Sequence, residues 1–430
     1  MTLTRRALMA STLAVALGPP HKAQAQTQQG ATLTARQGRM RLRPDPAPES
    51  DILSFGPAPF SLVLRVKLGD LLKIRLDNRL DTPLALHWRG VRLPNAFDGA
   101  SPRTQKPVAP SDGFDLAFTP PDAGIFLFHP SLRTQANAQM ARGLAGLLIV
   151  EEQTPPTVDH DLPCLLADWR DEAAEPLVFV NGSIDAQEVE APPRARIRIR
   201  LANASTRRVM AVGIEGATAK VTAIDGQPCG MFEPVRQTLP LVPGARYDLF
   251  FDLPDTVGAS AAVVLRGISG APDLSRPLIT FKTAGPPRAP LPPIAALPAN
   301  PKLPESIPLK KAKRLDLVIA GEPGKSWTVN GQAADEPGPR PILSVKRGTT
   351  LSLGFVNRSR APQLIHVHGH VMRHVHLLDD GWEPYWRDSV IVPEGKTVRT
   401  VFVADNPGKW LIEGGFGTGD GPVVWFEVTG

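Results

Sequence analysis

Two short histidine-bearing stretches carry residue types that could do chemistry. In "LHWRG" (residues 86–90) His87 precedes Arg89 by two positions, and in "HVHGH" (residues 366–370) His366, His368 and His370 alternate with other residues. On an extended strand, residues two apart point to one face. His366 and His368 therefore share a face and offer two imidazoles to one copper or zinc ion. The same spacing would make His87 and residue 89 a matching clamp, but position 89 is arginine. A guanidinium stays protonated and has no lone pair to give, so Arg89 brings fixed charge where an imidazole would bring a ligand. Of the nine histidines, His129 stands alone and His374 and His376 follow closely on "HVHGH". No cysteine follows Cys229 and no histidine follows His376, so residues 377–430 contain neither a thiolate nor an imidazole.

The elements that must position these side chains announce themselves as a threefold repeat. "LRVKLGDLLKIRLDNRL" (64–80), "RARIRIRLANAS" (194–205) and "LSVKRGTTLSLGFVNRS" (343–359) each alternate apolar and polar residues and end in Asn before a polar turn. Asn78, Asn203 and Asn357 lie 125 and 154 residues apart, a spacing that suits sandwich domains. A second echo links the outer units: "PPDAGIFLFHPS" (120–131) and "ADNPGKWLIEGG" (404–415) both feed a Pro/Gly turn into a strand. The prediction is an all-β chain of three antiparallel β-sandwiches. Their boundaries are 26–155, 156–284 and 309–430, with the Pro-rich tract 285–308 as an extended linker between the second and third.

A chain of 430 residues with 46 prolines exceeds one hydrophobic core, which agrees with several domains. Residues 1–25 read as an export signal: paired Arg5-Arg6, an apolar run too short to anchor in a bilayer, and Ala23-Gln24-Ala25 as a cleavage site. The paired arginines point to the twin-arginine route, with that translocase as a partner during export, cleavage after Ala25, a periplasmic mature chain and no stable membrane anchor. Loss of Arg5, Arg6 and Lys22 with no acid lowers the formal charge of +6 by three, to +3, too mild a balance to imply a nucleic-acid partner. Two cysteines, Cys164 and Cys229, make no disulfide framework, and two separate buried thiols are expected.

The blocks "LHWRGVRLPNAFDG", "GIFLFHPSLRTQANAQMARGLAGLLIVEE", "AIDGQPC", "LVPGARYDLFFD", "QLIHVHGH" and "WRDSVIVPEGKTVRTVFVADNPGKW" run in order through nearly the whole mature chain. Together they resemble the multicopper oxidases, the laccase-like family. That resemblance implies three tandem cupredoxin-like Greek-key β-sandwich domains, a type 1 copper that takes electrons from substrate, and a trinuclear cluster that reduces dioxygen. Carried over residue by residue, it sets His87 and His366 at the type 2 copper. Arg89, His129 and Gly415 fall at one type 3 copper; Ser131, His368 and Glu413 fall at the other. Gln363 stands where a type 1 histidine belongs, and Glu413-Gly414-Gly415 stand where the family has His-Cys-His. Asp98 matches an acid that delivers protons to the cluster, and without a cluster it reads as a turn residue before Gly99.

Three functions stay open at this point. In the leading one the chain is a non-oxidase of the cell envelope, similar to the copperless cell-division branch of the family, with no cofactor and with periplasmic protein partners. In that reading Arg89 and Glu413 fill the emptied cavity as a buried ion pair. In the second, His87, His366, His129 and His368, with Glu413, hold one residual copper at a type 2-like site, as a copper-binding protein or a copper-dependent oxidoreductase. A laccase-type oxidase is the third, and the missing thiolate weighs against it.

Overall fold

The computed structural model describes residues 26–27, 30–169, 176–376, 381–415 and 421–430; the export-signal expectation for residues 1–25 lies outside them. Among the described residues the regular structure is nearly all strand, arranged as three successive two-sheet sandwiches, and no sheet there mixes strands from two units. Among the described residues no helix is long and apolar enough to cross a membrane.

The sheets are mixed, which corrects the expectation of purely antiparallel sandwiches. In each unit the repeat strand runs parallel to the unit's first long strand: Leu72–Arg79 beside Ala31–Met40, Arg196–Asn203 beside His160–Trp169, and Thr349–Asn357 beside Lys313–Gly321. Between the two partners the chain visits the opposite sheet. It therefore returns running the same way, as a hairpin cannot.

The repeat asparagines explain themselves. Asn78, Asn203 and Asn357 are buried at the ends of these strands, and each makes the same three bonds. The side-chain amide donates to one carbonyl in the following turn, Thr82, Arg208 or Ala361, at 2.9 Å each. It also donates across the sandwich to Val108, Leu241 or Val392 at 2.9–3.0 Å. The side-chain oxygen accepts from the backbone N–H two residues on. A buried amide satisfied on both sides closes each sandwich at one corner.

Apolar faces join the units. Ile125, Leu127 and Ile149 of the first pack with Leu165, Ala167 and Phe179 of the second, each such side chain adding roughly 1.5–3 kcal/mol by burial. Ala100 of the first unit packs on Leu411, Val423 and Trp425 of the third. The tract 285–308 has no strand or helix, as expected of a linker, yet it is docked: Asn300 is buried and bonds Gln227 at 2.6 Å and the Ala123 N–H at 3.1 Å. Cys164 and Cys229 are separate thiols in the second unit's core, and burial pushes both up to about 12.

Candidate metal centre

Strand Leu86–Arg89 pairs antiparallel with Gly124–Pro130, and the register sets His87 directly opposite His129. Past the strand the chain turns through Asn95–Phe97 and comes back beneath it at Asp98 and Gly99. Gly99 adopts φ +81°, and a Cβ there would sit 2.1 Å from the Leu86 carbonyl oxygen, so the return needs glycine. In the third unit, Gln363–Val367 lies between Ser389–Val392 and Gly408–Glu413. His366 consequently faces Ser389 on one side and Glu413 on the other.

These strands meet where the first unit packs on the third. His87 Nε2 lies 3.0 Å from His366 Nε2, and the His87 and His368 rings stack with centroids 4.0 Å apart. His87, His366 and His368 are all buried and bring ligand atoms within 4.8 Å of one another. His129 sits edge-on to His87 at 5.6 Å, with Nδ1 donating to the Pro130 carbonyl. His370 is not part of the cluster: it lies among Phe402, Trp410 and Phe426. His374 pairs with Glu383 instead.

Hydrogen bonds assign the protons. A carbonyl only accepts, so His87 donates from Nδ1 to Asp98 at 2.9 Å and His366 from Nδ1 to Asp388 at 3.0 Å. Burial, reinforced by His368, pushes His87 below its ordinary value; burial and Arg89 push His366 down to about 3. Two neutral rings then aim their Nε2 lone pairs at each other across 3.0 Å, an arrangement that a shared cation relieves.

His368 is the opposite case. Burial would lower it, but Asp98 at 2.9 Å and Glu413 at 3.3 Å outweigh that and hold it up at about 10. Burial likewise works against both carboxylates, and the His368 imidazolium keeps each well below the usual carboxylate range. Asp98 is thus more than a turn residue: it is fully buried and anchors two histidines through its carbonyl and its carboxylate.

The expected Arg89–Glu413 ion pair does not form. Arg89 donates to Ser389 Oγ at 2.7 Å and lies 3.9 Å from Asp388, while Glu413 meets His368 and lies 3.9 Å from Arg133. Strand order is the reason. Ser389 and Glu413 flank His366 on opposite sides, and Arg89 reaches the Ser389 side.

That side holds residues which sequence reasoning missed. Arg246 is fully buried and donates to the Ile125 carbonyl of the first unit, to the Asp225 and Gly244 carbonyls of the second, and to the Asp388 carboxylate of the third. One guanidinium thereby ties all three units, and it shares Asp388 with Arg89. Burial and the Asp388 charge raise the neighbouring Asp225 to about 6. Arg246 and Asp388 lie inside the blocks "LVPGARYDLFFD" and "WRDSVIVPEG", but nothing local marks a strand charge as buried.

The residues at the centre fit a single copper or zinc ion. His87 and His366 would hold it through Nε2, and His368 could join after losing its proton. Such an ion would supply Lewis acidity or one-electron chemistry there. The residues around Gln363 do not fit a blue copper, which requires thiolate. Gln363 is buried and donates to Ser359 Oγ at 3.1 Å, the Gly414 N–H bonds the Pro422 carbonyl, and both cysteines are in the second unit's core.

Residues 44–155 and residues 306–414 each match a multicopper oxidase family model. The chain is 26% identical to the multicopper oxidase MmcO of Mycobacterium tuberculosis, over 91% of this chain and 84% of that protein. Among solved structures it is similar to a multi-copper oxidase from Pseudomonas thermotolerans, at 28% identity and TM-score 0.77 over 93% of this chain and 99% of that one. It is 30% identical, with TM-score 0.76, to Lac15 from a marine microbial metagenome, covering 93% of this chain and all of the other (100%). Likeness of this degree along the full length of such relatives, with the family's models matched at both ends, makes the chain a member of the multicopper oxidase family.

Proposed function

We propose that this chain is a non-oxidase of its family, a binding or scaffold protein of the cell envelope that works through a periplasmic protein partner, in or near cell division. It reaches the periplasm by a twin-arginine signal cleaved after Ala25. One observation carries the reading. The strand that would bring the thiolate and two imidazoles ends in Glu413-Gly414-Gly415, and Glu413 is engaged with His368. Without thiolate there is no electron entry site, and the half-kept imidazole set has no donor to draw on.

The curated relatives are named as oxidases, so turnover is the test. Mature protein loaded with copper is expected to show no intense visible charge-transfer band and no dioxygen uptake with phenolic or metal-ion substrates. A blue protein, or one that consumes dioxygen, overturns the reading. Replacing Arg5-Arg6 with two lysines should leave the chain in the cytoplasm on fractionation.

The facing lone pairs of His87 and His366 favour a second reading, a single residual copper or zinc site in the same protein. Arg89 beside His366 opposes it electrostatically, and the His368 proton must leave for a third ligand to form. Copper titration after exhaustive chelation decides: stoichiometric binding, lost in both His87→Ala and His366→Ala, establishes it.

A further inference from the structure

Away from the histidine cluster, the third unit's six-stranded sheet has an outer face that is hollow at its centre. Strand pairing sets Arg314 beside Ser352 and Ser352 beside Val401; one pleat on, it sets Asp316 beside Gly354 and Gly354 beside Arg399. The alternate residues Leu315, Leu317 and Leu353 point the other way, into the core. Ser352 and Gly354 put almost no bulk on the middle strand, and Arg399 crosses over Gly354 to pair with Asp316. Over this hollow lies a cleft of about 410 Å³, whose lining adds Leu309, Lys310, Val375 and His376 to Arg314, Ser352, Arg399 and Val401.

The cleft carries charge of one sign. The chain enters the sheet through "KKAKR" (310–314), four cations in five positions. Lys310 and Arg314 are exposed and line the cleft, and neither makes an ion pair or a hydrogen bond among the described residues. Arg399 supplies a third cation, fixed on the floor by Asp316 and by a bond to Ser352 Oγ at 3.4 Å. No acid among the described residues lines the cleft, and Asp316 is already engaged by Arg399. Like charges gathered at a concave wall focus their field outward, so what the site lacks is negative charge.

We infer that this cleft binds a phosphomonoester carried on a small apolar body. Such a group brings about two negative charges and three acceptor oxygens, where a carboxylate or a sulfate ester brings about one charge. It therefore suits two unpaired cations beside a guanidinium that is already oriented. Leu309, Val375 and Val401 offer apolar wall to the body that carries it.

In metal-free buffer the full mature chain can be titrated with phenyl phosphate and with phenyl sulfate, one shape with different charge, by calorimetry or ligand-observed NMR. The phosphate is expected to bind saturably, one per chain, and at least about fivefold more tightly than the sulfate. Lys310→Gln combined with Arg314→Gln changes two exposed residues that hold nothing in the fold. That double variant should lose about tenfold or more in affinity at an unchanged melting temperature. Lys67→Gln combined with Lys73→Gln, at two exposed cations of the first unit, should bind as the wild type does. Sedimentation with phosphatidic-acid vesicles separates the two sources of such a group: co-sedimentation lost in the Lys310/Arg314 variant assigns a lipid headgroup, and none assigns a soluble ester. No saturable binding, equal affinity for the two esters, unchanged binding by the Lys310/Arg314 variant, or an equal loss in the Lys67/Lys73 variant each overturns the inference.

Discussion

Where the first unit meets the third, buried imidazoles sit among the acids and arginines; where it meets the second, the buried charged groups are guanidiniums and carboxylates alone. At the second junction Arg198 bonds Glu152 and Asp248, and Arg200 bonds Asp161 at 2.7 and 2.8 Å. Every cation there stays a cation at any physiological pH, so that junction's charge is closed when the chain folds. At the first junction His366 is pushed down to about 3 and His368 up to about 10 within one cluster. Both values lie outside the physiological range, so this pair keeps one proton there, and its charge changes only where a metal ion displaces that proton. The same fold thus holds one interface that is electrostatically finished and one that is adjustable.

The largest expected effect tests the finished side. Arg198→Met removes the guanidinium that bonds Asp248 and Glu152, leaving these buried carboxylates only Arg200 at 3.5 and 3.7 Å, and should cost about 3 kcal/mol in denaturant unfolding. His366→Gln orphans no charge and should cost about 1 kcal/mol. Equal losses would erase the contrast between the junctions.

Next in size is copper. If titration establishes the residual copper site, His87→Ala or His366→Ala should weaken it at least about tenfold in a chelator-competition titration, roughly the loss common for disturbed metal sites. Arg198→Met, where it folds, should leave copper affinity unchanged.

The third prediction concerns pH in metal-free protein. Folded, the His366/His368 pair carries one proton between about pH 3 and about pH 10. Unfolded, it carries two below about pH 6.5 and none above. Below that point the unfolded chain binds more protons, so stability rises with pH; above it the unfolded chain binds fewer, so stability falls. The pair thus centres a maximum near pH 6.5. His368→Gln should remove the alkaline limb while the acid limb from His366 persists, as urea unfolding over roughly pH 5–9 will read. Asp98 and Glu413 contribute above their ordinary values and lose that contribution only in more acid solution.

The smallest effect sharpens the role of Arg89. Arg89→Gln removes a buried cation beside His366 while Asp388 keeps Arg246. Copper affinity should rise by about threefold to tenfold. A fall in affinity would mean that Arg89 positions the histidines instead of repelling the ion.

Much of this molecule was readable from residue types and spacing. Alternation in the three repeat segments predicts the strands, and the recurrent Asn before each turn predicts equivalent corners. Spacing by two predicts that His366 and His368 work together, and His87 of the first unit joins them, 3.0 Å from His366 and stacked on His368 with centroids 4.0 Å apart. The partners of Arg89 and Glu413 were not readable. Alternation says which face a side chain takes and is silent on which strand lies beside it.

By itself, the sequence determined the three-sandwich frame and the absence of any thiolate or imidazole after His376, because both follow from residue identity and period. Only the tertiary structure decided that Arg89 goes to Asp388 and Ser389, that His368 is held between Asp98 and Glu413, and that Arg246 ties three units together. Those pairings join residues up to 300 positions apart. They depend on strand order and on how finished domains dock, where desolvation and charge balance outweigh anything a local stretch of chain encodes.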